Sequence, residues 1–414
     1  MPLQAELHHV IYALSDALDL VGVDDLSHGK RVGVMAAECG RVLGLGLPEQ
    51  HFLFELGMLH DIGVSSTRMH QHLLAEFDWV GSQEHAVDGC ALLQSFAPLA
   101  AMALPIRYHH TPWSELKTLD LAPEVALQAN LIYLVDRVDT LAAPYYASNA
   151  VLVHMAQIRT EIAQRSGCHF APALVEAFLQ ASRTEAFWLL LEPRAIQQAL
   201  QHQLAQATPL PAQGMQIRQA AALFARIVDA KSPFTARHSE GVACLARLLA
   251  QRMGVSADHC DKLEVAGLLH DLGKLRVPDE ILEKPGVLEP DERQIIHTHS
   301  FETFQILRGI QGFEDIALWA AYHHEEPGGH GYPFHLDART LPLEARILRV
   351  ADIFQAMVQD RPYRAGLDAA QAMAFMHELA QAGRVEWPIL EALEQDLDEA
   401  MATAHSTLTD AATA

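Results

Sequence analysis

Cysteine and positive charge are both scarce in this chain of 414 residues. The five cysteines form no Cys-x-x-Cys pair, and an odd number at loose spacing predicts reduced thiols, as in a cytosol. Lysine and arginine number 29 against 52 aspartates and glutamates, which gives a net charge of −23. This acidity argues against polymeric nucleic acid and membrane surfaces as partners, because both attract a basic face. A small anionic substrate stays compatible if cations gather in one cleft.

Long apolar runs are lacking as well. The longest, from Ala97 to Ile106, contains two prolines and is too short to cross a bilayer. The N-terminus shows no basic segment followed by an apolar one, so we expect no signal peptide and predict a cytoplasmic protein. Half of the residues are nevertheless hydrophobic, and the length is typical of two domains with a sizeable core.

Alternating strand patterns are scarce, whereas apolar residues recur at helical spacing, for example between Val242 and Leu249. The segment 207–214, A-T-P-L-P-A-Q-G, has the proline and glycine content of a linker. We therefore predict an all-α fold of two domains. The N-terminal one would span 1–206 and include extra helices, and the C-terminal one would span 215–414.

The adjacent pair His270-Asp271, at the end of an apolar run, is the most informative motif. Side by side, an imidazole and a carboxylate can reach two different metal ions, and the aspartate can bridge them. Further histidines and one more aspartate stand in apolar or helical contexts on either side. A set with this many nitrogens and some carboxylates suits iron, manganese or another first-row ion. The candidate ligands are His238, His270, Asp271, His299, His323, His324 and Asp352.

The same series occurs earlier in the chain. His28 precedes the pair His60-Asp61 by 32 residues, just as His238 precedes His270 by 32. The offset between matching residues drifts only from 210 to 216, which indicates an internal duplication and thus two tandem domains of one type. The candidate ligands of this first copy, a possible second metal site, are His28, His60, Asp61, His85, His109, His110 and Asp136.

Residues 220–370 resemble an HD-GYP domain, the bacterial branch of the HD phosphohydrolase superfamily. The resemblance implies an all-helical fold, a binuclear and often iron-containing centre, and hydrolysis of cyclic di-GMP to linear pGpG or onward to GMP. The matching segments are H-S-E at His238, H-D-L-G-K at His270, P-D-E-I-L-E-K-P-G at Pro278, H-T-H at His297, H-H-E at His323, G-Y-P at Gly331, V-A-D at Val350 and D-R-P-Y-R at Asp360.

The resemblance also implies roles. Asp271 would bridge two divalent ions, one held with His238, His270 and Asp352, the other with His299, His323 and His324. Such ions lower the pKa of a bridging water and neutralise charge on the phosphoryl group. Lys274 would reach a phosphate oxygen, so that Asp271 and Lys274 are the predicted catalytic residues. The predicted substrate contacts are Lys274, Gly331 and Tyr332, with Arg361 and Arg364 as phosphate clamps.

Some positions depart from the family pattern. Phe234 stands where some members have a glutamate that supports a third metal, so we expect two metals. Gly328 and Gln355 replace common aspartates, which leaves loop geometry and substrate preference open. His297 stands where lysine is common, and we expect it to be structural or exposed. Glu325 we expect to orient a ligand histidine or to lie in solvent.

The first copy keeps the metal-type residues but loses the substrate features. Val64 stands where the second copy has Lys274, and neither a G-Y-P nor an R-P-Y-R segment follows. Asp24 precedes His28 by four residues and is expected to be a solvated carboxylate. Three interpretations stay open: a metal-binding domain without catalysis, a sensor or regulatory domain, and a second active site with another substrate.

The leading hypothesis is a cyclic dinucleotide phosphodiesterase that acts on cyclic di-GMP. Nothing in the sequence excludes 3′,3′-cyclic GMP-AMP as an alternative substrate. A hypothesis of a different class is a non-catalytic protein that binds a cyclic dinucleotide or a GGDEF-type cyclase. A general nucleotidase is a further option, against which the G-Y-P and R-P-Y-R segments argue. Metal identity and oligomeric state stay open at this stage.

Overall fold

The computed structural model of the chain describes residues 3–22, 27–64, 66–67, 69, 82–231, 238–284, 286–360 and 365–405. Within these ranges the regular structure is helical apart from two short strands, so the predicted all-α fold is confirmed. No helix described there is long and apolar enough to cross a membrane. Of the residues singled out in the sequence, Asp24, Phe234, Arg361 and Arg364 lie outside the described ranges.

Residues 14–209 form a compact unit, termed here the N-terminal unit. One of its helices starts at Pro123, where proline suits the first turn because its missing N–H would have no partner there. The middle of that helix, 129–139, is buried and carries Asp136. The helices are α1 (Leu7–Asp19, which begins before this unit), α2 (His28–Val42), α3 (Leu47–Met58), α4 (Ser82–Gln94), α5 (Ala100–Arg107), α6 (Trp113–Leu116), α7 (Pro123–Tyr146), α8 (Val151–Ala163), α9 (Pro172–Ala181), α10 (Glu185–Leu189) and α11 (Pro193–Gln206).

The described residues of 3–13 and 210–405 form the second compact unit, termed the C-terminal unit. A 3₁₀ turn, Leu272–Arg276, follows the His-Asp pair directly. The elements are β1 (Gln4–Glu6), β2 (Pro211–Gln213), α12 (Gly214–Ala230), α13 (His238–Arg252), α14 (Ala257–Leu269), α15 (Asp279–Leu282), α16 (Pro290–Leu307), α17 (Glu314–Ala321), α18 (Leu343–Val358), α19 (Ala369–Gln381), α20 (Trp387–Gln395) and α21 (Leu397–His405).

The strands make the division of the chain differ from the predicted one. β1 pairs antiparallel with β2, with Ala5 opposite Ala212, so the first residues belong to the C-terminal unit rather than to 1–206. Part of the predicted linker 207–214 is therefore a strand. The Glu6 carboxylate accepts hydrogen bonds from the Leu210 backbone at 3.0 and 3.2 Å, which fixes the entry to this pairing. A strand of three residues is too short to show an alternating pattern.

A close backbone approach holds each His-Asp pair beside another histidine. In the C-terminal unit, a Cβ atom on Gly273 would lie 2.0 Å from the carbonyl oxygen of His299. In the N-terminal unit, a Cβ atom on Gly63 would lie 2.0 Å from the carbonyl oxygen of His85. Only glycine allows the backbones to come this near. The two units thus share one packing feature at matching positions, as expected of a duplicated fold.

Replacing Gly273 by alanine should therefore destabilise the protein. The added methyl group has to displace the backbone of α16, and overpacking of this kind costs about 1–3 kcal/mol. The measurement is denaturant-induced unfolding of metal-free protein. Gly309→Ala is the matched control, because the nearest atom to its Cβ position is 3.6 Å away. Equal stabilities of the two variants would contradict the packing argument.

Candidate metal centre

His270 and Asp271 directly follow α14 and face a buried cluster. The Nδ1 atom of His270 lies 2.7 Å from the carbonyl oxygen of Gly267, so Nδ1 carries the proton that it donates. This contact turns Nε2 toward the cluster. His270 Nε2 and Asp271 Oδ1 are buried without a hydrogen-bond partner. Buried polar atoms of this kind are costly unless something binds them, and a cation would satisfy both.

Asp271 lies between two groups of side chains. The first group consists of His238, His270 and Asp352, and the second of His299, His323 and His324; within each group, one ligand atom per residue lies within 4.8 Å of the others. Asp271 Oδ2 is 3.3 Å from His270 Nε2 in the first group. Its other oxygen, Oδ1, is 3.6 Å from His299 Nε2 in the second. One carboxylate thus offers an oxygen to each group, as a bridging ligand must.

Helix geometry orients the second group in the same way as His270. His299 Nδ1 is 2.6 Å from the carbonyl oxygen of Ile296, and His323 Nδ1 is 2.6 Å from that of Ala320. Each imidazole therefore directs Nε2 inward, and the two Nε2 atoms are 3.2 Å apart. Two lone pairs at this distance repel unless a proton or a cation lies between them.

Burial keeps the second group neutral. It lowers the pKa of His299 to about 4, and it holds the pKa values of His323 and His324 well below that of an ordinary histidine. The neighbouring imidazoles add to the effect for His323 and His324, because a second positive charge in the same cluster is unfavourable. At neutral pH these three side chains have the form that binds a metal ion.

The first group carries more charge. Burial opposes an imidazolium at His270, but Asp271 and Asp352 outweigh it and raise the pKa of His270 to about 9. Burial likewise opposes the carboxylate of Asp271, yet His270 and Lys274 hold the pKa of Asp271 well below its usual range. Asp271 is thus an anion at neutral pH, in surroundings where one or two cations would be favourable.

Lys274 forms an ion pair with Asp271, the candidate bridging ligand. Its Nζ is 2.5 Å from Asp271 Oδ2, and a fifth of its side chain is exposed. The ammonium group therefore sits at the edge of the cluster rather than inside it. A cation in this place can reach an anionic group that approaches the cluster from outside.

The Gly-rich loop brings Tyr332 to the same place. A Cβ atom on Gly331 would lie 2.4 Å from the Cα atom of Glu325, so the loop packs directly on the segment after the His-His pair. The ring of Tyr332 is 4.7 Å from that of His324. Glu325 is fully buried and accepts hydrogen bonds from the backbone of Phe334 and Leu336 at 2.7 and 2.8 Å. The expectation that it orients a ligand or lies in solvent was therefore wrong: its partners are in the loop.

Two contacts at the cluster were not foreseen from the sequence. His297 is half-buried and stacks face to face on Tyr332, with ring centroids 3.7 Å apart and 11° between the planes. His238 Nδ1 is 3.3 Å from Gln359 Oε1, which makes Gln359 the partner behind this candidate ligand. Gln355 instead fills the space above Gly241 and donates to the carbonyl of Ala404 at 3.0 Å. The H-T-H segment was the available signal for His297, whereas nothing local marks Gln359.

The N-terminal unit assembles the matching side chains. His60 Nε2 lies 3.3 Å from Asp61 Oδ2, and His85 Nε2 lies 3.3 Å from Asp61 Oδ1. His28 Nε2 is 3.4 Å from Asp136 Oδ1. All seven residues of the first copy belong to two groups that share Asp61, or contact them: His28, His60 and Asp136 on one side and His85, His109 and His110 on the other.

Comparison with known proteins gives the family. An HD domain model matches residues 222–386. The chain is 37% identical over 393 residues to the 3′3′-cGAMP-specific phosphodiesterase 1 of Vibrio cholerae, a match that covers 94% of this chain and 91% of that protein. The chain belongs to the HD-GYP cyclic dinucleotide phosphodiesterases. The family assignment made from the H-D-L-G-K and G-Y-P segments is thereby confirmed.

Other members match this HD-GYP protein over different lengths. A crystal structure of a cyclic GMP-AMP specific phosphodiesterase from V. cholerae superposes with a TM-score of 0.65 at 26% identity, and covers 95% of this chain and 98% of the other. The cyclic di-GMP phosphodiesterase response regulator RpfG of Xanthomonas campestris is 36% identical over 170 residues, which are 41% of this chain and 44% of that protein. The match to the V. cholerae structure extends over both units.

Loss of the His297 stack should impair catalysis without affecting the metal ligands. An aromatic pair of this geometry contributes about 0.5–1.5 kcal/mol to the position of Tyr332. We expect His297→Ala to lower kcat/KM for a cyclic dinucleotide about 3- to 10-fold, and His297→Phe to retain most of it. Steady-state kinetics with metal content measured in parallel test this, with the exposed His330→Ala as control. Equal activity of the alanine and phenylalanine variants would argue against the stack.

Proposed function

We propose that the C-terminal unit hydrolyses a phosphodiester bond of a cyclic dinucleotide with two divalent metal ions, iron or manganese. The observation that carries the proposal is the position of Asp271, with one oxygen toward each of two groups of buried imidazoles. Cyclic di-GMP is the first candidate substrate, with pGpG or GMP as product. Catalysis of this kind would take place in the cytoplasm.

The donor set fits such ions. His238, His270 and Asp352 would hold one and His299, His323 and His324 the other, with Asp271 shared. When bound, two cations acidify water and offset the charge that develops on the phosphoryl group. The carbonyl oxygens of Gly267, Ile296 and Ala320 fix the ligand rings before binding, so little reorganisation is needed.

The remaining residues would bind and orient the substrate. Lys274 can turn its partly exposed ammonium group from Asp271 to a phosphoryl oxygen, which brings a positive charge to the anion. Tyr332, held by His297 and the Gly331 backbone, presents a ring beside His324. Arg361 and Arg364, by their place in the D-R-P-Y-R segment, remain proposed phosphate clamps.

A second candidate substrate is 3′,3′-cyclic GMP-AMP. It is favoured by the names of the tandem relatives from V. cholerae, one of which matches 94% of this chain. Relatives named for cyclic di-GMP, such as the one from X. campestris, match a smaller part. Equal concentrations of both dinucleotides in one reaction, followed by chromatography, give the ratio of the two kcat/KM values directly.

Replacement of Asp271 is the decisive test of the catalytic role. Asp271→Ala removes the oxygen offered to each group, so we expect a loss of turnover of more than about 100-fold. The matched control is Asp291→Ala, an exposed acid in the first turn of α16. Product analysis shows in the same assay whether hydrolysis stops at pGpG.

The pattern of losses locates the activity. Turnover lost with Asp271→Ala but kept with Asp61→Ala places catalysis in the C-terminal unit, whereas the reverse pattern contradicts the proposal. If wild type is inactive with both sites loaded, the protein is a binding module, and association with a GGDEF-type cyclase that survives Asp271→Ala would identify it as such.

Metal binding should also displace a proton from His270. With a pKa of about 9, this imidazole is protonated at pH 7.5 and has to become neutral before Nε2 can bind a cation. The apparent metal affinity should therefore rise with pH up to about 9 and level off above it. Calorimetric titration of metal-free Asp61→Ala protein in buffers of different ionisation enthalpy measures the release. A release that stays constant from about pH 7 to 10 would contradict this assignment.

A further inference from the structure

The two units share a pattern of candidate metal ligands but differ in the residue that contacts the Nδ1 atom of the first histidine. In the C-terminal unit, His238 Nδ1 faces the neutral amide of Gln359 at 3.3 Å. In the N-terminal unit, the matching histidine, His28, has its Nδ1 2.7 Å from Oδ2 of Asp139. A carboxylate that accepts the Nδ1 proton makes the imidazole a stronger donor through Nε2 than an amide does. The sequence analysis had not singled out Asp139.

Asp139 is held in place by further buried partners. The guanidinium of Arg31 donates from Nε to Oδ1 at 2.7 Å and from Nη2 to Oδ2 at 2.8 Å, a two-pronged contact. Tyr146 donates its hydroxyl to Oδ1 at 2.5 Å, and its ring lies 4.2 Å from the guanidinium carbon of Arg31. Asp139 is fully buried and Arg31 nearly so. A carboxylate fixed from both sides holds the His28 ring in one orientation.

A second arginine, Arg137, donates hydrogen bonds to another carboxylate of the cluster, that of Asp136. Arg137 donates from Nε and Nη2 to Oδ2 of Asp136 at 3.2 and 2.7 Å, and both residues are buried. The free oxygen, Oδ1, is left facing His28 Nε2 at 3.4 Å. In the C-terminal unit the residue after Asp352 is Ile353, so no such contact exists from that position.

A buried imidazole nitrogen of the N-terminal cluster has no hydrogen-bond partner among the described residues. His110 is about nine-tenths buried, and its Nε2 has no hydrogen-bond partner. It belongs to a group with Asp61, His85 and His109 in which the ligand atoms lie within 4.8 Å of one another. A neutral imidazole nitrogen buried beside a carboxylate fits a divalent first-row cation, which accepts both donor types.

Features that would bind a phosphodiester are lacking among the described residues of this cluster. Val64, which is buried, stands where the C-terminal unit has Lys274. The arginines at the cluster, Arg31 and Arg137, contact Asp139 and Asp136 rather than facing outward. A metal centre of this kind would hold its ions firmly and offer no charge to a phosphate.

We propose that the N-terminal unit holds its own centre for divalent first-row cations, which retains metal more strongly than the C-terminal centre and does not hydrolyse phosphodiesters. Asp139, fixed by Arg31 and Tyr146, is the residue responsible for the stronger retention. Bound cations would tie α2, α4 and α7 together, so that loss of metal lowers the stability of this unit. The proposal stands whether or not the C-terminal unit acts on a cyclic dinucleotide, because it concerns metal retention rather than turnover.

The test follows metal release from the full-length protein. Protein loaded with Mn²⁺ is equilibrated with increasing chelator, and the metal left per chain is measured by mass spectrometry. We expect release in two phases, with the chelator-resistant phase absent in Asp61→Ala and the labile phase absent in Asp271→Ala. Asp139→Asn should shift the resistant phase to roughly 10- to 100-fold lower chelator, the range typical of changes behind a metal ligand.

Two further variants distinguish a role of Asp139 in metal retention from a general loss of structure. Tyr146→Phe removes one hydrogen bond to Asp139 and should shift the resistant phase in the same direction but less. Gln359→Ala, the counterpart in the C-terminal unit, should shift the labile phase alone. Circular dichroism of each variant confirms folding. If Asp61→Ala does not fold, Asp139→Asn and Tyr146→Phe decide the question alone.

Several results would overturn the proposal. Release of all metal in one phase from the wild type means that the two centres do not differ. A resistant phase that disappears with Asp271→Ala instead of Asp61→Ala assigns strong retention to the other unit. An unchanged resistant phase in both Asp139→Asn and Tyr146→Phe removes the role of the carboxylate. Each of these outcomes is independent of turnover, so a failed phosphodiesterase assay cannot produce it.

Discussion

The hydrogen bond from the Nδ1 atom of a histidine to the carbonyl oxygen three residues earlier is the interaction on which both sites depend. It recurs at His60, His109, His270, His299 and His323, with distances between 2.6 and 2.8 Å. Because the acceptor lies three residues earlier in the same segment, the ring orientation is set by local structure. The Nε2 lone pairs then converge on one aspartate, and a group of buried lone pairs around an anion is stable only with cations among them.

This local origin explains why so much was predictable. The repeated spacing in the two copies, together with the family resemblance, picked out the candidate ligands, and all seven residues of each copy do meet. The helical fold was predicted from apolar residues that recur at helical spacing. What the sequence could not show are contacts between distant segments: Asp139 is 111 residues from His28, and Gln359 is 121 residues from His238. The β1–β2 pair escaped notice because its strands have three residues each.

A metal-dependent phosphodiesterase has to meet two requirements, and a comparison of the two units separates them. One is to hold cations, and both units have helices with carbonyl-oriented histidines that offer the donor atoms for it. The other is to receive a phosphate, which needs positive charge free to face outward. Lys274 can supply such charge, since its Nζ lies at the edge of the cluster and is partly exposed. In the N-terminal unit, the two arginines described at the cluster, Arg31 and Arg137, are buried and contact carboxylates instead.

This contrast bears on why a cluster whose described residues lack substrate features keeps its ligands. Removing one imidazole or carboxylate from a buried set leaves the others unpaired, and each unpaired buried group costs about 1–3 kcal/mol, more if charged. Losing Lys274 has a smaller penalty, because its ammonium group lies at the edge of the cluster and is partly exposed. A duplicated centre can therefore lose catalysis by single steps and still retain the whole donor set. If the N-terminal unit binds cations as proposed, Arg31 and Arg137 would supply what the outward lysine cannot, a fixed countercharge behind the carboxylates, which favours metal retention over substrate access.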